Sequence, residues 1–453
     1  MMAHTNPASS SRPGRLLTVF AGVFGAFLGL SLLKFGNPPI MEKWVTRPGD
    51  IYEFVLGYPW PIEWAYWLLA AICLFGFATG RWQIPGRRWL IILPAAWFAW
   101  QLLAATQTLD TVLSRLTVMH FGACIGCFYL GHFCLAPANR SWFWRGIFVA
   151  FLVVLAIGFE QHFGGLEETR RYFFLYLYPK LAQFPPDYMK KMTSNRIFAT
   201  LFYPNALAGA LLLLLPAVLA AVMETRLLTL AARSFLAGLI ATAAMCCLYW
   251  SASKAGWLLM LLLAIVCLFH FRLDRRIKLA VFLALVLGGT VGFAVKYSSF
   301  FRRGATSVVA RFDYWSAAAR TAATHPIWGT GPGTFAIPYE RMKRPESEMS
   351  RLVHNDYLEQ ASDSGLVGSA LYTTWIGLVL WTTRPKSIED LLYFATWLGF
   401  LGWSLQGLVE FGLYIPALAW PSFTFMGLLL GTRPQAANSV DKSEPATVGS
   451  VRR

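Results

Sequence analysis

Apolar stretches of the length that crosses a bilayer, about 20 residues, repeat along most of this chain, separated by short polar and often basic joints. Twelve can be marked, at approximately 16–33, 61–79, 89–106, 116–136, 146–160, 204–223, 234–250, 255–271, 279–295, 364–382, 391–409 and 414–431. Backbone groups inside hydrocarbon must bond one another, so each run is predicted to be a helix. The expected fold is therefore all-α, a polytopic membrane protein of about twelve transmembrane helices. It divides into five helices over 1–160, a large loop over 161–203, four helices over 204–295, a second large loop over 296–363, three helices over 364–432 and a disordered tail over 433–453. Both large loops are expected to carry short amphipathic helices.

The first run follows Arg12 and Arg15 and ends in "KFGNPP" without a small-residue cleavage site, so it is read as a retained helix and not a secretory signal. Basic residues fix the expected orientation. The joints "RWQIPGRR", "PANRSWFWR", "METRLLTLAARS", "RLDRRIK" and "TTRPKSIED" are short and carry Lys or Arg. They and both termini are placed in the cytoplasm, and the two large loops outside. Long loops are exempt from the orientation rule, yet the external side as a whole holds about half of the basic residues. Either external acids pair with that charge or an anionic partner does.

Composition agrees with the pattern. Of 453 residues, 56% are hydrophobic and 14% charged, with 19 tryptophans and a formal net charge of +16, far from soluble globular usage. All seven cysteines fall within the predicted helices, so no disulfide framework is implied. His120, Cys124 and Cys127 share a helix face, but buried thiols usually serve as small hydrophobes, and no metal is assigned to them.

Ionisable residues at the external membrane edge carry the candidate chemistry. His354, just ahead of the tenth helix, could accept a proton from an attacking hydroxyl or be a structural loop histidine; Asn355 and Asp356 are possible caps for a short helix after it. Arg311 lies in "VVARFDYWSAAAR", read as a surface helix resting on Phe312, Trp315 and Ala319. Its fork suits phosphate oxygens, or it pairs with Asp313. Arg196 precedes the sixth helix and is placed well outside it; Lys254 occupies the tight turn before the eighth. Each could hold an anion or snorkel to the interface. Glu410 closes the eleventh helix, where a carboxylate can orient a base or a sugar hydroxyl, or be an ordinary helix-end charge. The glycines of "HPIWGTGPGTF" could present N–H groups to an anion, though a plain turn is the default. The external loops contain no D-x-D pair and no clustered His/Asp ligands, which disfavours a metal-dependent transferase. No cofactor and no nucleic-acid partner are expected.

The stretch "HNDYLEQASDSGLVG", with His354, Asn355, Gly365 and Gly368 at the spacing H-[N/S/Q]-x9-G-x-x-[G/T/Y], resembles the O-antigen ligase family. "RIFATLFYPNALAG", "SASKAGW", "ARFDYWSAAARTAATHPIWGTGPGTF" and "LVEFGLYIP" are similar to further segments of that superfamily, with Lys254 where arginine is commoner and Glu410 where aspartate is usual. The resemblance spans about 190–430. It implies a metal-independent, inverting glycosyltransferase in a bacterial inner membrane with a periplasmic site. Its donor would be a glycan on undecaprenyl diphosphate, its acceptor a hydroxyl of lipid A core or another glycan. His354 and Glu410 would be catalytic, Arg196, Arg311 and Lys254 would bind the diphosphate, and Asn355, Gly365 and Gly368 would support the motif. O-antigen ligation is the favoured activity, with a polymerase of the same donor type and a lipid-linked sugar transporter as alternatives.

Overall fold

A computed structural model describes residues 14–56, 59–82, 88–180, 194–201, 203–302, 306–345, 347–388 and 390–432. The predicted tail over 433–453 and part of the first large loop lie outside them. Among the described residues every regular element is helical. In chain order they are α1 (Arg15–Lys34), α2 (Ile51–Val55), α3 (Ile62–Thr79), α4 (Arg88–Ala105), α5 (Thr111–Leu130), α6 (Ser141–Glu160) and α7 (Leu166–Tyr172). After these come α8 (Pro204–Glu224), α9 (Leu230–Ser251), α10 (Lys254–His270), α11 (Arg275–Arg302), α12 (Thr306–Thr324), α13 (Ala336–Met342), α14 (Asp356–Thr383), α15 (Leu391–Gln406) and α16 (Pro416–Gly431).

Each of the twelve predicted runs falls on one of the long helices. Among the described residues eight helices are long and apolar enough to cross a membrane, three shorter apolar ones, 89–105, 254–270 and 416–431, accompany them, and the remaining run falls on α15. The two runs that looked short are full-length helices, since α6 begins at Ser141 and α9 at Leu230. Their first turns are polar or basic, so hydropathy alone misplaces the starts.

The helices sort by what covers them. α16 is buried from Pro416 to Leu429, with Trp420 stacked on Phe27 of α1 at 5.5 Å. α11 has a single buried residue, Tyr297; a helix apolar all round but uncovered by protein is solvated by lipid. Between apolar helices in a bilayer, small residues allow close van der Waals approach. A Cβ at Gly25 of α1 would stand 2.3 Å from the carbonyl oxygen of Phe143 in α6.

The second large loop carries α12 and α13, as expected, but the buried face of α12 is not the one predicted. Tyr314, Ala317, Ala318, Thr321 and Ala322 are buried, while Phe312 is 60% exposed. The apolar contacts of α12 are with α13, α14 and the chain before His354, and Phe312 is left uncovered by protein.

α14 is two helices. Gly365 has φ 71° and ψ 179°, so a polar helix over 356–364 ends there and an apolar span begins. The polar half does not face solvent: Asp356, Glu359, Gln360, Ser362, Asp363 and Ser364 are all buried. Most of their polar atoms bond to neighbours, while Glu359 Oε1, Ser362 Oγ and Asp363 Oδ1 find no partner among the described residues. Gln360 accepts from Trp97 Nε1 at 2.9 Å and Gln101 Nε2 at 3.0 Å, and Asp356 accepts from the Leu413 N–H at 3.1 and 3.2 Å.

Candidate functional site

The short helix over 356–364 starts at Asn355, whose side chain accepts from the N–H groups of Tyr357 and Leu358 at 3.1 and 3.0 Å. This N-cap fixes the residue before it. His354 has φ 56°, a conformation that costs a non-glycine residue about 1–3 kcal/mol. Its carbonyl accepts from Trp315 Nε1 at 3.3 Å, and the adjacent Val353 N–H donates to Glu359 at 3.1 Å. The imidazole lies among Phe411, Tyr314 and Tyr203, with ring centroids at 4.7, 5.8 and 6.4 Å.

The glycine-rich run between α12 and α13 docks on the far end of this helix. Gly329, Gly331 and Gly333 have φ of 64°, 106° and 79°. Thr330 N–H donates to Ser362 O at 3.1 Å and Gly331 N–H to Asp363 O at 2.8 Å, while Gly333 N–H donates to Asp363 Oδ2 at 2.7 Å. These N–H groups are occupied within the fold, so the run is a structural turn and not an anion cradle. Gly365 closes the junction, since a Cβ there would lie 2.0 Å from the Ile327 oxygen. Gly365→Ala combines that clash with an unfavourable φ and is expected to destabilise the protein by about 3 kcal/mol or more, measurable as a lowered unfolding midpoint in detergent.

Glu410 is the hub. It follows α15, is 2% exposed at its side chain, and receives four donors on two oxygens. Arg311 and Asn205 Nδ2, the latter at 2.6 Å, donate to Oε1. Tyr203 Oη donates to Oε2 at 2.5 Å, and His354 Nδ1 lies 3.1 Å from the same oxygen. A carboxylate so surrounded has its lone pairs filled. It therefore positions its partners and does not itself meet a sugar hydroxyl. Burial works to raise its pKa, but Arg311, His354 and Tyr203 outweigh it and bring the pKa from 4.5 to about 2. Glu410 is ionised at neutral pH, so in their contact His354 Nδ1 donates its proton to the carboxylate.

The sign of this shift fixes a pH dependence. A carboxylate with a depressed folded pKa contributes stability above its unfolded pKa and loses it as pH falls through the folded one. The difference in unfolding midpoint between wild type and Glu410→Gln should stay constant from about pH 7 to 5 and close as pH drops from 4.5 towards 2. Thermal scans across pH measure it.

The other cations converge on the same place. Arg196 was expected well outside the sixth predicted helix, yet its side chain folds back on the helix ends. Nε donates to Ser251 O at 2.7 Å and Nη2 to Asn205 Oδ1 at 2.8 Å. Burial lowers its pKa, opposed chiefly by Glu410. Lys254 opens α10 immediately after the left-handed Ala252 and the N-cap Ser253. Its ammonium lies 3.7 Å from the Phe300 ring centroid, within electrostatic range of Arg196 and Arg311. Arg311 pairs with Glu410 and not with Asp313, which accepts instead from Ser347 at 2.9 Å. Arg311 and His354 thus contact the carboxylate directly, Arg196 reaches it through Asn205, and Lys254 stands near Arg196 and Arg311.

All five predicted charged residues therefore meet, although they arise from separate segments of the chain. Tyr203 and Asn205 were missed as site residues; their one signal was their place at the mouth of α8, beside Pro204. His120, by contrast, belongs to the core, with Nε2 2.8 Å from Leu413 O.

Residues 237–373, roughly a third of the chain, match the family model described as O-antigen ligase. The match takes in Lys254, Arg311, His354, Asn355, Gly365 and Gly368, while Arg196 and Glu410 lie to either side of it. No curated protein matches the chain.

Proposed function

Because residues 237–373 belong to the O-antigen ligase family, a glycosyltransferase family of ligase and polymerase type, we propose that this chain transfers a glycan from undecaprenyl diphosphate to an acceptor hydroxyl. The proposed reaction is O-antigen ligation to lipid A core at the periplasmic face of the bacterial inner membrane. The observation that carries this reading is the Glu410 hub, which sets a basic imidazole nitrogen beside a surplus of positive charge at the helix ends.

In the proposed displacement the acceptor oxygen forms a bond to the anomeric carbon as the bond from that carbon to the diphosphate oxygen breaks. Undecaprenyl diphosphate leaves with the electron pair, and attack from the opposite face inverts the anomeric centre. The hydroxyl proton passes to His354 Nε2 and then to solvent. Arg311, Arg196 and Lys254 meet the charge that grows on the leaving group. Arginine offers the planar fork that diphosphate oxygens accept, whereas Lys254 contributes a point charge.

The test is deletion of the gene in its host, followed by analysis of the envelope glycans. Loss of capped lipopolysaccharide with accumulation of full-length lipid-linked polymer supports ligation. Accumulation of single lipid-linked repeat units would instead make the chain a polymerase. Movement of labelled carrier lipid across liposomes containing the purified protein, with no glycosidic bond formed, would overturn the transferase reading.

A further inference from the structure

Two cations share one indole ring away from the Glu410 hub. Lys43 Nζ lies 4.8 Å and Arg351 Cζ 4.4 Å from the Trp44 ring centroid. Trp44 ends a 3-10 turn over Pro39–Trp44, within the connection between α1 and α3, and Arg351 lies in the second large loop. Distant parts of the chain thus bring two like charges to one aromatic side chain. Among the described residues neither cation has a carboxylate at ion-pair distance, although Glu340 acts on Arg351 from farther away and the neighbouring Arg47 has Glu63 at 3.6 Å. Such a pair repels until an anion lies between the charges.

Both halves are held firmly. Pro39, Ile40 and Met41 are buried, and Glu42, before Lys43, accepts the Ile62 N–H at 2.9 Å. After Arg351, Leu352 and Val353 are buried. Ser350 Oγ donates to Leu352 O at 2.7 Å and Val353 N–H to Glu359 at 3.1 Å. Arg351 precedes His354 by three residues, so their Cα atoms are at most about 11 Å apart. The two anion-facing groups are distinct: Arg311 touches Glu410, Arg196 bonds Ser251 O and Asn205, and Lys254 lies over Phe300, whereas among the described residues Lys43 and Arg351 meet at Trp44.

We propose that Lys43, Trp44 and Arg351 form a second anion site, which binds a phosphate or carboxylate group on the acceptor while the acceptor's hydroxyl reaches His354. The inference rests on the transferase reading, in which the Glu410 cluster serves the donor. Arg351 supplies a fork for the anion's oxygens, Lys43 a second charge, and the indole an apolar face of the kind that packs against the C–H side of a sugar.

The test separates binding from transfer. Purified full-length protein in phosphatidylcholine nanodiscs, without donor, is titrated with lipid A core and with the same acceptor after phosphatase treatment. Wild type is expected to prefer the phosphorylated acceptor, and Arg351→Ala and Lys43→Ala to lose about ten-fold or more of that preference. Arg351→Lys should retain part of it. Equal wild-type affinity for both acceptors, or an unchanged preference in the variants, overturns the site. Competition by phosphatidylglycerol nanodiscs that abolishes the preference would assign the cluster to a phospholipid headgroup and also overturn it. If the preference holds but no transfer follows on adding lipid-linked donor, the transferase reading fails while the anion site stands.

Discussion

Glu410→Ala should remove nearly all transfer and destabilise the protein at once, the largest effect expected of any single change. The substitution deletes the acceptor of four hydrogen bonds in a site where Arg311 is 17% exposed and His354 20% exposed. Breaking a buried pair by removing one partner costs about 3–5 kcal/mol, because the remaining charge keeps its desolvation without its counter-ion. The chemical loss is separate. Without a carboxylate at Nδ1, the His354 tautomer with a basic Nε2 is no longer selected, and misorienting a catalytic imidazole in this way reduces turnover roughly 10³–10⁴-fold. Glu410→Gln isolates the second effect, since it keeps the shape and loses the charge. Aspartate keeps the charge but shortens the reach, so it should retain more activity than glutamine and less than wild type. Transfer from lipid-linked donor in vitro and unfolding midpoints of the same preparations check both parts.

The sequence pattern and the folded chain agree where one physical cause dominates. Hydrocarbon demands continuous apolar runs, and nothing else competes, so the long apolar helices were legible. Where two causes compete, local composition misleads. "HNDYLEQASDSG" is polar enough to suggest a surface, but its polar groups bond one another, the glycine turn and Trp97, which makes burial of Asp356, Glu359 and Asp363 tolerable. Local amphipathicity marked Phe312 on one face of α12, but could not show that the opposite face packs on α13, α14 and Val353. The site residues were legible singly, as charges at helix ends. Their arrangement was not, because the donors to Glu410 come from 203–205, 311 and 354, and no local spacing encodes a contact between such distant positions. The resemblance supplied the set; the reason they form a set is the carboxylate they share.

That sharing predicts an order among the variants: Arg311→Ala should lose at least as much transfer as His354→Ala. Loss of His354 removes the proton acceptor, a contribution of about 10²–10⁴-fold in general base catalysis, and its weight falls when the leaving group is as good as a diphosphate. Loss of Arg311 removes a donor to the departing charge, typically about 10²–10³-fold, and does a second thing as well. Arg311 is the strongest influence holding the Glu410 pKa down against burial. Without it burial prevails, the Glu410 pKa rises, and part of the population carries a neutral carboxyl that no longer selects the working tautomer of His354. The two variants therefore differ in their pH profiles. A raised carboxyl pKa means that Glu410 ionises only at higher pH, so the residual activity of Arg311→Ala should climb with pH relative to wild type, while His354→Ala has no imidazole to restore and should follow a flatter course. Arg311→Lys restores the charge without the fork and should recover the wild-type profile with a lower plateau. Rates of transfer from lipid-linked donor between about pH 6 and 9 decide it: parallel profiles for Arg311→Ala and His354→Ala would show that Arg311 does not act on the imidazole through Glu410.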